Sequence, residues 1–265
     1  MRTRLVREAA LLLLLFYSLQ SAANCTGNGA LGLSHYDGTV GKYPVRMTLQ
    51  FDGDAINGIY FYTSQLKDIR IRGKITGGSQ LVLEEMDSAG HAVVARFEGS
   101  FPTSDPEHHF QGALQCEVIA GKWGKIGAAT GSSTVDGMPF YLALGNANDG
   151  DLEHQYRDAG ASDDEVVNKG ALRFREAVKQ GDRKIAASLI KYPITVGRGT
   201  QCKKTILNAQ MMLQQYEVVL SPLKEAIVQD VPRAMWVRNG MVMFAGGGVW
   251  FDGEGKVEAL NIECP

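Results

Sequence analysis

The chain has 265 residues, 45% hydrophobic and 21% charged, with 27 Lys and Arg against 29 Asp and Glu. That size and balance suit one large or two modest globular domains with proper cores, and exclude a disordered or collagen-like chain. A formal charge of -2, without basic stretches interleaved with aromatics, argues against nucleic acid as a partner.

The amino terminus carries Arg2, Arg4 and Arg7, an apolar run from Ala9 to Tyr17, and small residues Ser21, Ala22 and Ala23. This order predicts a secretory signal peptide over residues 1–23, cleaved after Ala23, and a periplasmic or secreted mature protein. The apolar run is shorter than the roughly 20 residues a membrane-spanning helix needs, so no integral segment is expected after cleavage. Export gives the four cysteines their meaning. Cys25, Cys116, Cys202 and Cys264 are an even set bound for an oxidising compartment, so disulfides are the expectation. Of the three possible pairings, chain order favours Cys25 with Cys116 and Cys202 with Cys264. Each would stabilise by roughly 4 kcal/mol on the chain-entropy argument.

Residues 24–147 read as β throughout. "VRMTLQF" alternates, Asp52-Gly53-Asp54 turns, and "INGIYFY", "DIRIRGKI", "QLVLEEM", "AVVARFEGSF", "FQGALQCEV", "GKWGKIG" and "MPFYLAL" follow. Short strands at regular spacing with glycine turns predict an antiparallel meander closed into a barrel or folded into a sandwich. The small-x-aromatic pattern of Gly58-Ile59-Tyr60 and Gly121-Lys122-Trp123 resembles the lipocalin-like barrels of the calycin group.

Residues 148–163 are small, polar and acidic, the composition of a linker. Asn148, Asp149, Gly150 and Asp151 suggest a calcium loop, but aligning Gly150 with the loop's glycine puts Gly145 and Ala147 where carboxylates are needed. Helical period follows. Ser162-Asp163-Asp164-Glu165 predicts a capping box, and Val167, Ala171, Phe174 and Val178 one buried stripe. A second helix is expected after Gly181-Asp182, with Ile185, Leu189 and Ile190 inward and Pro193 as its stop. Then come an "ITV" strand, a helix from Asn208 to Leu220, a helix from Ser221-Pro222, an "AMWV" strand, the Asn239-Gly240 turn and a long hairpin joined at Asp252-Gly253-Glu254-Gly255.

Residues 164–265 are therefore α+β. Their segments "FREAVKQGDRKIAASLIKYPITV" and "MVMFAGGGVWFDGEGKVEALNI" resemble exported bacterial proteins of the NTF2-like, or cystatin-like, cone. That resemblance implies a bent sheet wrapped over helices around a concave pocket, and no particular chemistry. Met212, Tyr216, Trp236, Met243, Phe244 and Trp250 are the expected pocket lining. On "MVMFAGGGVWF", read as one strand bent at its glycines, Met241, Met243, Val249 and Phe251 would share one face and Val242, Phe244 and Trp250 the other. Both faces are apolar, so one is expected to cover helices and the other to meet the β half, a second copy of the chain, or another protein.

Chemistry is harder to find. All five histidines, His35, His91, His108, His109 and His154, precede the second half and are excluded as its catalytic base. Glu258 alternates out of the sheet. Ser188-Leu189-Ile190-Lys191 fits S-x-x-K without the companion motifs of serine β-lactamases. Asp105-Pro106-Glu107-His108-His109 is a poor metal site, because adjacent side chains in an extended loop point apart. No catalytic residue, metal or cofactor is predicted.

Charge is divided, with +5 after residue 165 against -9 over residues 24–165. Arg173, Arg175, Lys179, Arg183 and Lys184 are a candidate surface for an anionic partner. The expectation is an exported, non-catalytic protein that binds another protein or an envelope component, in one form an envelope-side inhibitor or immunity protein, with a homodimer through the carboxyl-terminal sheet as one arrangement. The alternative is a small-ligand carrier or enzyme using an apolar cavity of the second half.

Overall fold

A computed structural model describes residues 32–102, 117–126, 137–197 and 203–262. The signal-peptide segment, all four cysteines and the Asp105–His109 motif lie outside the described residues.

Eight antiparallel strands close into a barrel in chain order: β1 (Leu33–Val40), β2 (Tyr43–Asp52), β3 (Ala55–Tyr62), β4 (Ile69–Thr76), β5 (Gln80–Met86), β6 (Val93–Ser100), β7 (Val118–Lys125) and β8 (Met138–Asn148). The barrel is thus chosen over the sandwich. Its closing strand β1 lies ahead of the first strand expected from sequence, and pairs with both β2 and β8. Alternation fills the interior: Met47, Leu49, Tyr60, Leu83, Phe97 and Leu142 are all fully buried within one cluster. Phe97 stands edge-on to both Tyr60 and Phe140, with centroids 5.2 Å apart in each pair. Near one end Tyr60 donates a 2.6 Å hydrogen bond to Glu85, whose carboxylate also accepts from the Trp123 indole at 3.1 Å. The interior is therefore a packed core.

The second part is a six-stranded sheet backed by helices. Its order is β10 (Lys204–Ile206), β9 (Ile190–Val196), β14 (Val257–Leu260), β13 (Val249–Phe251), β12 (Met241–Phe244) and β11 (Trp236–Arg238). Only the β9–β14 pair is parallel. Helix α1 (Asp164–Gln180) buries the predicted stripe Val167, Ala171, Phe174 and Val178 against this sheet, with Phe174 edge-on to Phe251 at 5.9 Å. Its cap is Asp163 rather than Ser162: the Asp163 carboxylate accepts from the Glu165 amide, and Glu165 reaches away to Arg233. At Gly170 the helix touches the Asp252 turn so closely that a Cβ would collide with the Gly255 carbonyl oxygen.

Four other expectations change. Helix α2 (Arg183–Ser188) buries Ala186 and Ala187 and leaves Ile185 exposed; it stops before Leu189, so Pro193 lies inside β9. The helix expected over 208–220 breaks at Gln215 into α3 (Ala209–Gln214) and α4 (Tyr216–Val219). The helix expected from Ser221 opens as a 3-10 turn, with α5 at Lys224–Gln229. The glycine-rich strand is two strands: Ala245, Gly246 and Gly247 hold φ of 55°, 62° and 87°, left-handed values that reverse the chain. Strands β12 and β13 then pair with each other, Val242 against Phe251 and Phe244 against Val249. That reversal regroups the faces. Val242, Phe244, Val249 and Phe251 all point into the core, while Met243 and Trp250 share the outer face with Trp236.

The two parts meet along the barrel wall. Thr48 and Phe61 alternate outward from the interior residues Met47, Leu49 and Tyr60, yet each is 1% exposed. Arg46 on the same wall pairs with Asp37 at 2.7 Å and donates to the carbonyls of Val231 and Arg233 at 3.3 and 3.0 Å. Arg233 returns the tie, binding Asp68 at 2.7 Å and Glu165 at 2.9 Å. The acidic 148–163 segment is folded into this junction. Its Tyr156 is fully buried, donates to Asn168 at 2.8 Å and accepts from the Met235 amide at 3.0 Å.

Candidate site at the barrel–sheet junction

Strand β8 ends against β11, and the two form the walls of an open cleft of about 260 Å³. Ala147, Asn148 and Asp149 line one side, and Trp236, Val237, Arg238, Asn239 and Gly240 the other, with Asp158 from a 3-10 turn between them. The β11–β12 turn is the Asn239-Gly240 reversal, both residues at positive φ, as the sequence predicts. Trp236 is half-buried, and the Arg238 guanidinium sits 5.4 Å from its ring centroid.

Behind the cleft lies a buried polar cluster. A register shift between His35 and Tyr36 in the β1–β8 ladder lets Tyr36 point into the barrel while His35 pairs across the strands with Thr48 and Asn146. His35 is 1% exposed and bonds Thr48 Oγ1 through Nδ1 at 3.0 Å. Burial, with the Arg46 charge adding to it, pushes its pKa down to about 4, so the ring is neutral at physiological pH. The Asn146 Oδ1 and the Gln155 Oε1 are buried with no hydrogen-bond partner among the described residues, and the buried Asn148 amide lies against the His35 ring. Asn148 belongs to both features, since it lines the cleft and abuts His35. Groups of this kind make a site that favours polar occupants over hydrocarbon.

The six residues expected to line one pocket are divided among three places. Met212 and Phe244 are packed in the core of the second part. Trp236, Met243 and Trp250 form a half-buried row across the opposite sheet face, of which Trp236 alone reaches the cleft. Tyr216 lines a separate recess of about 110 Å³ with Val178, Arg183, Glu217, Ser221 and Lys224; its hydroxyl is buried without a partner among the described residues, and burial raises its pKa.

The basic surface is also divided. Arg175 donates to the Val228 carbonyl at 2.8 and 3.0 Å, and Arg183 pairs with Glu217 while stacking on Tyr216 at 5.1 Å. Lys179 lies 4.0 Å from Glu176, and Arg173 and Lys184 are exposed without an ion pair among the described residues. Elsewhere, Lys191 binds Asp252 at 3.1 Å and Glu258 at 3.4 Å, which places Glu258 on the outer face as expected. Ser188 donates to the Ile185 carbonyl at the end of α2. Among the described residues no group of three or more His, Cys, Asp or Glu is placed to hold a metal ion, and no helix is long and apolar enough to cross a membrane.

Sequence reasoning missed His35, Asn148, Asp149, Asp158 and Arg238 as one site. The alternation in "LSHYDGTV", with His35 and Asp37 on one face and Tyr36 on the other, is the signal that would have placed His35 on a barrel wall. By fold and site the class is a closed antiparallel barrel joined to a helix-backed mixed sheet, with a polar-floored cleft at the join. Comparison with protein-family models, with curated proteins and with solved structures finds no match to the chain.

Proposed function

We propose that this chain is an exported, non-catalytic binding protein whose ligand or partner enters the barrel–sheet cleft. The observation that carries the reading is the cleft itself, about 260 Å³, with a half-buried tryptophan, Trp236, on one wall and the polar residues Asn148 and Asp149 on the other. Binding sites combine such an aromatic contact with a few polar groups that fix orientation. The carboxylates that line the cleft, Asp149 and Asp158, are both exposed, and the histidine behind it, His35, is sealed at 1% exposure and bonded to Thr48; a base with a pKa near 4 is a feeble one at neutral pH. Export rests on the Arg2–Ala23 segment, and an envelope-side inhibitor or immunity role is the form in which a rigid, unreactive surface is most useful.

The finer description of the second part, an NTF2-like cone, is part of the same proposal. A bent sheet covering α1, with the strand order given above, supports it. Its interior is occupied by Phe174, Phe244, Phe251 and Met212, so the cleft rather than an apolar cone is the binding locus.

The test is site-directed photo-crosslinking in the producing cell. A benzoyl-phenylalanine at Asn239 is expected to give one discrete adduct, while the same group at Ala89, on a barrel turn, gives none. Equal adducts at both positions, or none at Asn239, would refute the reading.

A further inference from the structure

Two Asn-Gly pairs fall within the described residues, Asn57-Gly58 and Asn239-Gly240; a third, Asn28-Gly29, lies outside them. Such a pair carries its own chemistry. The backbone nitrogen of the glycine can attack the side-chain carbonyl carbon of the asparagine, because both belong to one short segment and no Cβ on the glycine stands in the way. The N–Cγ bond forms as the Cγ–Nδ2 bond breaks, and the proton of the glycine N–H passes through water to Nδ2, which leaves as ammonia. Water then opens the resulting succinimide at either carbonyl. Opening at Cγ leaves an aspartyl residue. Opening at the backbone carbonyl leaves an isoaspartyl residue, whose main chain runs through Cγ and is longer by a methylene.

The fold treats the two pairs differently. Asn57 lies inside β3, facing Gln50 of β2 and Arg72 of β4, and Gly58 is buried between Leu49 and Ile71. A nitrogen in a strand paired on both sides is held in the ladder, and cannot swing onto the preceding side chain unless the barrel opens. A Cβ at Gly58 would stand 2.6 Å from the Thr48 carbonyl oxygen, so the strands leave no slack there. Asn239 and Gly240 are instead the two residues of the β11–β12 turn, closed by the pairing of Arg238 with Met241. Both are exposed, and the Gly240 amide has no hydrogen-bond acceptor among the described residues. The nucleophile is therefore free, and water is at hand for the second step.

We propose that Asn239 is a site of spontaneous modification, converted to aspartyl and isoaspartyl forms in the folded protein while Asn57 keeps its amide. The chemistry is independent of what the cleft binds, but its consequence falls there. Asn239 and Gly240 line the cleft with Asp149, Asp158 and Arg238, so either product adds a carboxylate to that rim. The isoaspartyl form also lengthens the turn that sets the register of Trp236 against Met243. Over time the protein becomes a mixture in which part of the molecules have a more acidic cleft with a distorted wall.

Peptide mapping by mass spectrometry of the full chain, incubated in mildly alkaline buffer with and without urea, tests this. In buffer, loss of the amide is expected at Asn239, as separable aspartyl and isoaspartyl peptides, and not at Asn57. In urea both positions should react, because each is followed by glycine. Retention of the Asn239 amide in buffer, or equal loss at both positions, overturns the proposal. An Asn57 that stays unreacted in urea also overturns it, since the contrast would then belong to the neighbouring side chains and not to the fold.

Discussion

His35 makes the junction sensitive to acid, with a sign and size that follow from its burial. In the unfolded chain the imidazole titrates near 6.5; in the fold, burial beside Arg46 holds it at about 4. Above pH 6.5 the ring is neutral in both states and contributes no pH dependence. As pH falls below 6.5 the unfolded chain takes up a proton that the fold refuses, so stability drops by about 1.4 kcal/mol per pH unit. The loss is complete at about pH 4, where the folded ring also protonates, and amounts to about 3 kcal/mol. The groups facing the ring are Thr48, Asn148, Arg46 and Asp37, and of these Asn148, through its hydrogen bond, and Asp37, through its charge, oppose the effect without cancelling it. Asp164, whose pKa is raised by burial, is common to wild type and variant, so its titration drops out of the comparison. The assay is urea unfolding at intervals between pH 7.5 and 4, comparing wild type with H35Q, which retains an amide for Thr48 and cannot titrate. The variant is expected to lose one proton's worth of slope between pH 6.5 and 4. Parallel stability curves would refute the claim that His35 is buried and neutral in the fold.

Three other perturbations probe the rest of the construction. Gly170→Ala puts a methyl group against the Gly255 carbonyl, so urea unfolding should show a loss of about 2 kcal/mol; a gain, as helix propensity alone would give, refutes the close approach. Arg46→Met removes the donor to the Val231 and Arg233 carbonyls from a side chain only 13% exposed, and should cost about 3 kcal/mol. Calorimetry should then resolve two transitions where the wild type has one, and an unchanged single transition refutes Arg46 as the tie between the parts. Mass mapping without reduction should recover Cys25 linked to Cys116 and Cys202 to Cys264; any crossed pair refutes pairing by chain order.

The barrel was legible because its signal is local. Alternation in "VRMTLQF" or "QLVLEEM" specifies strand and facing at once, and glycine turns mark the ends. Helix α1 was legible for the same reason, down to the four residues of its stripe. The failures share a different cause: each depends on a partner distant in sequence. Strand β1 looks weak alone, with Ser34, His35, Asp37 and Gly38 in eight residues, and becomes a strand because it closes a ladder with β8 more than a hundred positions away. The Ala245–Gly247 segment reads equally well as a bend or a reversal, and the pairing of Val242 with Phe251 decides for reversal. The α3–α4 break at Gln215 has no proline or glycine to announce it.

The cleft was illegible for a deeper reason. Each of its residues has an ordinary local role: Asn148 ends a strand, Asp149 begins a polar turn, Asp158 sits in a 3-10 turn, and Arg238 precedes an Asn-Gly reversal. They become a site only because Arg46 and Arg233 dock the second part on the β1–β2 wall, which brings the end of β8 beside β11. The same docking buries His35 and Thr48, which on a free barrel would be solvated outward-facing residues. The unpaired polar atoms of the junction and the walls of the cleft therefore have one structural cause, and weakening the dock should alter both. In R46M the His35 pKa should rise towards 6.5 as water reaches the ring and the repelling guanidinium is lost. The photo-adduct at Asn239 should weaken in parallel, because the end of β8 and β11 no longer face each other at a fixed distance. A His35 pKa restored to about 6.5 together with an undiminished Asn239 adduct would mean that the cleft does not depend on the dock, and that the two features have separate origins.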